Sequence, residues 1–223
     1  MTRKEIMESK DFDGKALLDK ITHRDSFEDE LWNNPKLIIE NIQIPEVMEA
    51  ADACEQFKAI DEAKRKKADR NKRHGWLHVL YDGINNLPTG FVKSFFNLSR
   101  KDELTYSNRK EQIKKSAENN DESFIYYQKI LIDTFESQIA HKDEFPIIFY
   151  KNANKRDPNK EAIYNYLLPM YLLNSTKPDF CIVLGRQDGD DSWKVFTSLN
   201  MNEVYCDIRV FGKDAILSVR DWW

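Results

Sequence analysis

Three strand-length apolar segments separated by short polar turns limit the fold, because together they predict an antiparallel sheet. They lie near residues 167–173, 179–184 and 193–199. The sequences between them, "NSTKP" and "RQDGDDS", are rich in turn formers, and the Asp-Gly pair in the second is typical of a tight hairpin. Pro169 lies inside the first segment and cannot donate a ladder hydrogen bond, so we expect that strand at an edge of the sheet.

Two further segments are predicted to be strands. Residues 76–82, "WLHVLYD", alternate between two faces with period two, and residues 146–150, "PIIFY", form a short apolar run. "FVKSFFNL" at 91–98 fits a strand or the start of a helix, and "NMNEVYCDIRVF" at 200–211 is equally ambiguous. The polar stretch 99–121 has few apolar anchors, which predicts a surface helix or loop.

Helices are predicted before the sheet. After Pro45, apolar or small residues recur with helical spacing at Val47, Ala50, Ala51, Cys54, Phe57 and Ile60. Residues 123–142 form a second helix, with Phe124, Tyr127, Leu131, Phe135 and Ile139 along one stripe. The fold class is therefore α+β, with a helical N-terminal region at 1–73 and, at 74–223, an antiparallel sheet packed against helices.

The composition favours a protein of the cytoplasm. The first residues are charged and lack the apolar core of a secretory signal, and no apolar run approaches the roughly 18 residues that cross a bilayer. Cys54, Cys181 and Cys206 contain no CxxC pair, which predicts three buried thiols rather than a zinc site or a disulfide. We expect no cofactor, no metal and no membrane partner.

The basic run, residues 64–73, has seven Lys or Arg side chains against one Asp in a chain whose net charge is −4. It follows the apolar stripe of the predicted helix, so its cations either project from the body or lie on something polar. A local cluster of this kind binds phosphates without base specificity, docks on an acidic protein, or is a solvated helix face.

The nucleic-acid interpretation assigns a defined set of residues. Aromatic rings that stack on bases would come from Trp76, Tyr81, Phe91 and Phe95, all of which also suit a core. The predicted nucleic-acid-binding residues are Lys64, Arg65, Lys67, Arg70, Arg73, Trp76 and, as a second contact, Arg209.

Catalytic signatures are incomplete. The sequence has no HExxH, GxSxG, GxxxxGK[ST] or GxGxxG motif. His74 is expected to be neutral among its cationic neighbours, and His78 to be a half-buried strand residue. Three acids and a lysine in the last quarter of the chain resemble the catalytic set of a metal-dependent nuclease. In this sequence, however, Asp191 and Lys194 are one residue too far apart to share a strand face. That weak catalytic set is Asp179, Asp190, Asp191 and Lys194.

The C-terminal part resembles a bacterial domain family that is associated with OST-HTH (LOTUS) RNA-binding domains. The likeness covers about a quarter of the chain: an apolar "LLPMYL" strand, "DFCIV", an aromatic-led strand and a closing tryptophan. The matching residues are Leu167, Leu168, Pro169, Tyr171, Leu172, Asp179, Val183, Leu199, Met201, Tyr205, Arg209 and Trp222. The resemblance implies an RNA-linked context in a bacterium or phage, by association and without a reaction.

Charge and resemblance together predict an RNA-associated, non-catalytic binding or accessory protein whose partner is single-stranded RNA. Two alternatives stay open from the sequence. One is an interaction or inhibitor module that docks its charged helix on another protein, and the other is a metal-dependent nuclease.

Overall fold

The chain divides into two compact units, Met1–Ile38 and Ile39–Trp223. The computed structural model describes residues 41–65, 75–96, 106–141, 148–152, 163–187, 192–211 and 222, all of which lie in the second unit. The first predicted helix belongs to that unit together with the sheet, although the sequence assigned it to an N-terminal region ending at residue 73.

The described ranges contain five α-helices, two shorter helical turns and one sheet. The helices are α1 (Ala50–Arg65), α2 (Thr89–Phe95), α3 (Tyr106–Glu118), α4 (Glu122–Ala140) and α5 (Met201–Phe211). Between α1 and α2 lie a π-helical turn, His78–Asp82, and a 3₁₀ turn, Ile84–Asn86. Within the described ranges no helix is both long enough and apolar enough to cross a membrane.

The sheet has four antiparallel strands in the order of the chain. They are β1 (Ile148–Asn152), β2 (Ile163–Met170), β3 (Phe180–Gln187) and β4 (Lys194–Asn200). The predicted strands near 146–150, 167–173, 179–184 and 193–199 are confirmed, with shifts of a few residues at their ends. The α+β class, with helices before an antiparallel sheet, is confirmed as well.

Both faces of the sheet are covered, and alternation along each strand decides which side chain faces which layer. On one face Leu167, Val183 and Leu199 pack against Val204 and Ile208 of α5. On the other face, the Ser198 hydroxyl contacts the carbonyl of Gly83, in the segment that contains the two helical turns. The sheet therefore separates α5 from the π-helical turn.

The outer side of β4 is also closed, which protects an otherwise open edge. Ile42 forms a parallel bridge with Trp193, and Asn86 Nδ2 donates a 2.6 Å hydrogen bond to the Ser198 carbonyl. Asn200 then caps α5, since its side chain accepts from the backbone of Glu203 while the Glu203 carboxylate accepts from Asn200 N.

The start of α1 differs from the prediction. The helix begins at Ala50 rather than directly after Pro45. The side chain of Gln128 on α4 is fully buried; it accepts a hydrogen bond from Met48 N and donates one to Met48 O, both at 2.9 Å. The backbone groups of Met48 are therefore paired with a side chain rather than with a helix. Val47, which the prediction placed on the apolar stripe, is exposed.

The stripe of α1 is otherwise close to the expected one. Ala50, Cys54, Phe57 and Ile60 are buried as predicted, while Ala53 is buried in place of Ala51.

The strand predicted at 76–82 is wrong. Val79, Leu80 and Tyr81 are buried in succession, which strict alternation on a half-exposed strand does not allow, and the segment forms the π-helical turn. Two segments had been compatible with either a helix or a strand, and both are helical. Residues 91–95 of "FVKSFFNL" belong to α2, and the segment at 200–211 contains α5.

Pro169 is not on an edge strand, because β2 lies between β1 and β3. The register explains why it is tolerated. The described pairing of β1 ends opposite Leu167, whereas Pro169 is paired with Cys181 on the β3 side. The missing N–H therefore falls beyond the described end of the β1 ladder.

The stretch 99–121 contains helix α3, which agrees with one of its two predicted forms, but α3 also contributes to the core. Ile113 is completely buried and Arg109 is 7% exposed. Helix α4 agrees with its prediction, with Asp121 as N-cap and with Phe124, Tyr127, Leu131 and Phe135 buried; Ile139 is half-buried.

A glycine substitution tests the packing of the β3–β4 hairpin. A Cβ on Gly185 would overlap the ring of Phe196, the extra residue where the ladder shifts register. We expect Gly185→Ala to lower the free energy of unfolding by about 1–3 kcal/mol, the usual cost of overpacking. Urea unfolding followed by circular dichroism measures it.

Gly90→Ala is the matched control. Its Cβ would meet only the tip of Leu173, at 3.2 Å, and that side chain is 59% exposed and free to move. Equal destabilisation by both substitutions would contradict the assigned packing.

Candidate functional site

Among the described residues, a cluster of partly buried charges lies where α1, the π-helical turn and α3 meet, at the first cation of the basic run. Asp82 Oδ2 is 2.6 Å from Lys64 Nζ, and Asp82 Oδ1 is 3.0 Å from Lys110 Nζ. Lys110 Nζ is also 3.1 Å from Asp61 Oδ1. These residues, with Tyr81, are called the Asp82 network below.

The spacing of residues along α1 and the ring of Tyr81 hold the Asp82 network in place. Tyr81 stacks on Phe57 of α1, with ring centroids 4.1 Å apart, and its hydroxyl donates a 2.8 Å hydrogen bond to Asp61 Oδ2. Lys110 Nζ lies 4.0 Å from the Tyr81 ring centroid, within the range of a cation–π contact. Asp82 is the last residue of the π-helical turn, in which Gly83 N donates to His78 O.

Burial makes these contacts stronger than surface ion pairs. The Asp82 side chain is 5% exposed and that of Lys110 is 11% exposed, whereas Lys64 remains 50% exposed. Burial alone raises the pKa of the Asp82 carboxyl, but hydrogen bonds and charge from Lys64 and Lys110 outweigh it and lower that pKa to about 2. Asp82 is therefore a permanent anion at neutral pH.

Two more side chains border the network. Lys114 Nζ is 3.9 Å from Asp61 Oδ2, and His78 Nδ1 is 3.8 Å from Asp82 Oδ2, the oxygen that Lys64 contacts more closely. His78 is half-buried as predicted, but it lies in the π-helical turn rather than in a strand.

The arrangement is suited to anchoring rather than to proton transfer. Both Asp82 oxygens already have ammonium partners, so neither is left to act as a base on a substrate. In the part of the chain that the structure describes, no three His, Cys, Asp or Glu side chains are grouped closely enough to hold a metal ion.

The predicted phosphate contacts have different outcomes. Lys64 forms an ion pair with Asp82, so its positive charge is already compensated by a carboxylate of the protein. Arg65 is the last residue of α1, and only its backbone is described. Lys67, Arg70 and Arg73 lie outside the described residues, as does His74.

The four aromatic residues predicted to stack on bases contribute to the interior. Phe91 is 3% and Tyr81 2% exposed. The half-buried Phe95 and Trp76 have their rings 5.1 Å from Phe91 and 6.1 Å from Phe135, respectively. Tyr81 and Phe91 are therefore core residues, the other role that the sequence allowed for them, whereas base stacking by Trp76 and Phe95 stays a prediction.

Asp179 and Lys194 of the weak nuclease set are not brought together. The Asp179 carboxylate accepts hydrogen bonds from the backbone N–H groups of Leu172 and Leu173, at 2.8 and 2.7 Å, and so fixes the β2–β3 turn. Lys194 is paired with Gly185 at the other end of the hairpin, about 20 Å along the strand. Asp190 and Asp191 lie outside the described residues.

Arg209 belongs to α5, on the opposite face of the sheet from the π-helical turn, and only its backbone is described. It is thus separated from the base of the basic run. Among the cysteines, Cys54 and Cys181 are buried as predicted, whereas Cys206 is exposed on α5.

The structural role of Arg109 was not predicted from the sequence. This buried side chain donates to Thr89 Oγ1 at 2.7 Å and, over longer distances, to the carbonyls of Ile84 and Leu87. Burial lowers the pKa of its guanidinium. Arg109 ties α3 to the turn that precedes α2, a contact that an isolated Arg in a polar stretch does not reveal.

Comparison of the chain with protein-family models, curated proteins and solved structures found no match. The assignment of a function therefore depends on the residues themselves.

Substitution of Asp82 tests the anchor. We expect Asp82→Asn to lower the free energy of unfolding by about 2 kcal/mol, because the two lysines lose charge-assisted hydrogen bonds while Lys110 keeps Asp61. Urea unfolding at neutral pH measures the difference. Glu111→Gln is the control, since its pair with Lys115 is more than half exposed on both sides and should be lost without measurable effect. Equal stability of all three proteins would exclude the anchoring role.

The pH dependence of stability gives an independent check. A carboxylate whose pKa is lowered on folding stabilises the protein above its unfolded pKa, here 3.8, and loses that contribution as the pH falls through about 2. The stability difference between wild type and Asp82→Asn should therefore be constant above about pH 5 and shrink as the pH falls towards 2. A difference that persists undiminished in this acidic range would mean that charge is not its source.

Proposed function

We propose that the protein is an RNA-associated, non-catalytic binding protein whose basic run contacts the phosphate backbone. The observation that carries the proposal is the density of charge, seven cations against one acid within residues 64–73. The resemblance of the C-terminal part to domains linked with RNA-binding modules favours RNA as the biological setting.

The Asp82 network supports this role by fixing the point from which the basic run begins. Lys64 in the last turn of α1 is bonded to a buried carboxylate, and α3 is bonded to the same carboxylate through Lys110. An anchored start lowers the number of conformations that the following residues lose on binding, and that loss opposes affinity.

The pairing of Lys64 changes the set of proposed contacts. A phosphate would have to compete with Asp82, 2.6 Å away, for that ammonium. The proposal therefore assigns phosphate contact to Arg65, Lys67, Arg70 and Arg73, and it leaves out Lys64, Trp76 and Arg209. If three of these four cations are engaged at once, the slope of log affinity against log salt is about −2.1 on a single strand.

Charge reversal in the basic run is the decisive test. We expect Lys67→Glu, Arg70→Glu and Arg73→Glu combined to lower the affinity for labelled RNA by about tenfold or more at low salt, and to remove about two units of salt slope. Fluorescence anisotropy at two salt concentrations measures both quantities. Lys64 stays unchanged in this variant, since its replacement would disturb Asp82 and confuse binding with stability.

The matched control has the same change in net charge at exposed lysines on other elements, namely Lys93, Lys129 and Lys177, each changed to Glu. This variant should bind nearly as well as wild type. If both variants lose affinity equally, the effect is one of total charge, and the assigned contacts are wrong.

An acidic protein partner would use the same cations, so polyglutamate of matched charge serves as a second ligand. Tighter binding of polyglutamate than of RNA would favour the interaction-module alternative. Cleavage of RNA in Mg²⁺ or Mn²⁺ would contradict the non-catalytic assignment.

A further inference from the structure

We propose that Arg109 and Thr89 form a binding site for a phosphoryl group, whose oxygens accept hydrogen bonds from the Arg109 guanidinium. The phosphoryl group has two sources of the same chemistry: free phosphate, or a phosphate that is attached to Thr89 itself. The inference is independent of the proposed function, because its residues belong to α2 and α3 and have no part in the basic run.

Arg109 is a buried cation whose charge is not compensated in the way that its neighbour's is. It is 7% exposed, and among the described residues it forms no ion pair. Lys110, the next residue of α3, contacts the carboxylates of both Asp61 and Asp82. Buried charges are normally paired, because their removal from water is costly, and burial accordingly lowers the pKa of the Arg109 guanidinium. An anion beside Arg109 would supply the compensation that Lys110 receives from Asp82.

The hydrogen bonds of Arg109 leave part of its donor capacity unused. Nη2 donates to Thr89 Oγ1 at 2.7 Å, but the contacts from Nη1 to the carbonyls of Ile84 and Leu87 are 3.4 and 3.5 Å long, beyond the usual range for such bonds. Nε is buried and has no hydrogen-bond partner within the described structure. The guanidinium fork is planar and suited to donating to two phosphate oxygens at once.

Thr89 connects this buried cation with the surface. It is the first residue of α2 and is exposed, and its Oγ1 accepts the shortest hydrogen bond of Arg109. A hydroxyl that accepts a hydrogen bond still has its own hydrogen to donate, so a free phosphate would accept from the hydroxyl beside the guanidinium. A phosphoryl group attached to Oγ1 would have its oxygens one bond beyond an atom that already contacts Arg109.

For the covalent source, the phosphoryl donor is a nucleoside triphosphate and the catalyst is a protein kinase. Thr89 Oγ1 attacks the γ-phosphorus, the bond from that phosphorus to the oxygen that bridges it to the β-phosphate breaks, and a nucleoside diphosphate leaves. The hydroxyl proton passes to the base of the kinase. The product has about two negative charges at neutral pH, next to the guanidinium.

Urea unfolding in inorganic phosphate, against chloride of equal ionic strength, tests the free source. Phosphate also stabilises proteins by its exclusion from their surface, so the quantity to compare is the response of wild type and of Thr89→Val, which lacks only the hydroxyl contact. We expect phosphate to lower the unfolding equilibrium constant of wild type more than that of the variant, with an excess of about twofold when its concentration equals the dissociation constant. An equal response of both proteins would exclude the free source.

Full-length chains synthesised with phosphothreonine at position 89 test the covalent source. The matched control has phosphothreonine at position 176, since Thr176 is also exposed but its hydroxyl donates to Asn174 Oδ1 rather than contacting a cation. Phosphate at position 89 should lower the unfolding equilibrium constant about tenfold, as expected for a hydrogen bond between charged groups, and the control should show no such gain. Arg109→Lys should remove most of the gain, because an ammonium does not reproduce the bidentate contact.

A phosphorus NMR titration of the same two phosphorylated proteins gives a readout that does not need the Arg109 variant to fold. The phosphate at position 89 should titrate about one pH unit or more below the phosphate at position 176, because an adjacent cation favours the dianion. A shift of this kind, or a response to inorganic phosphate that Thr89→Val lacks, supports the inference and identifies the source.

The inference is overturned if inorganic phosphate acts equally on wild type and Thr89→Val and if the two attached phosphates have the same titration and the same effect on stability. RNA affinity enters none of these measurements. The proposed function is therefore judged separately, by charge reversal in the basic run.

Discussion

A single buried carboxylate, Asp82, joins three separate parts of the helical layer. It is held by an ammonium from α1 and by another from α3, while its own backbone belongs to the π-helical turn. Burial of a carboxylate is unfavourable unless it is paired, and here the pairing is strong enough to lower its pKa despite burial. The position of α1 relative to α3, and thus the start of the basic run, depends on this arrangement.

The same arrangement divides the cations into two groups. Lys64 and Lys110 compensate the negative charges of Asp82 and Asp61. The Tyr81 hydroxyl completes the network by donating a hydrogen bond to Asp61. The cations that follow Arg65 in the sequence are the ones that the proposal assigns to phosphates. In the proposal, structural pairing and partner binding use neighbouring charges of one run, and a substitution of Lys64 would report mainly on folding.

Much of the sheet was predictable from local chemistry. β-Branched and aromatic runs separated by turn residues specified β3 and β4, and a regular apolar stripe specified α4. The edge position of β2 was predicted wrongly because the proline rule applies to ladder hydrogen bonds rather than to whole strands, and the described β1 ladder ends before Pro169. The segment at 76–82 was misassigned because seven residues are too few to separate period two from a helical turn that is buried on several sides.

The charged site was harder to predict. Asp61, Asp82 and Lys110 are far apart in sequence, and each looks like an ordinary solvated residue until three helical elements bring them together. The density of Lys and Arg along the sequence reveals the basic run, but it does not reveal that Lys64, the first cation of the run, is paired with Asp82. Likewise, aromatic residues near cations suggested base stacking, whereas the contacts of Tyr81 and Phe91 belong to the core.

The measurement that tests the central claim most directly is a double-mutant cycle between Lys64 and Asp82, using Lys64→Met, Asp82→Asn and the combined variant. The free energy of unfolding should show a coupling of about 0.5–3 kcal/mol between the two positions, as for residues in one buried ion-pair network. Affinity for nucleic acid, measured on the folded variants, should fall similarly in all three, because each of them loses the anchored start of the basic run. Additive effects on stability, or a coupling that appears only in binding, would contradict the account.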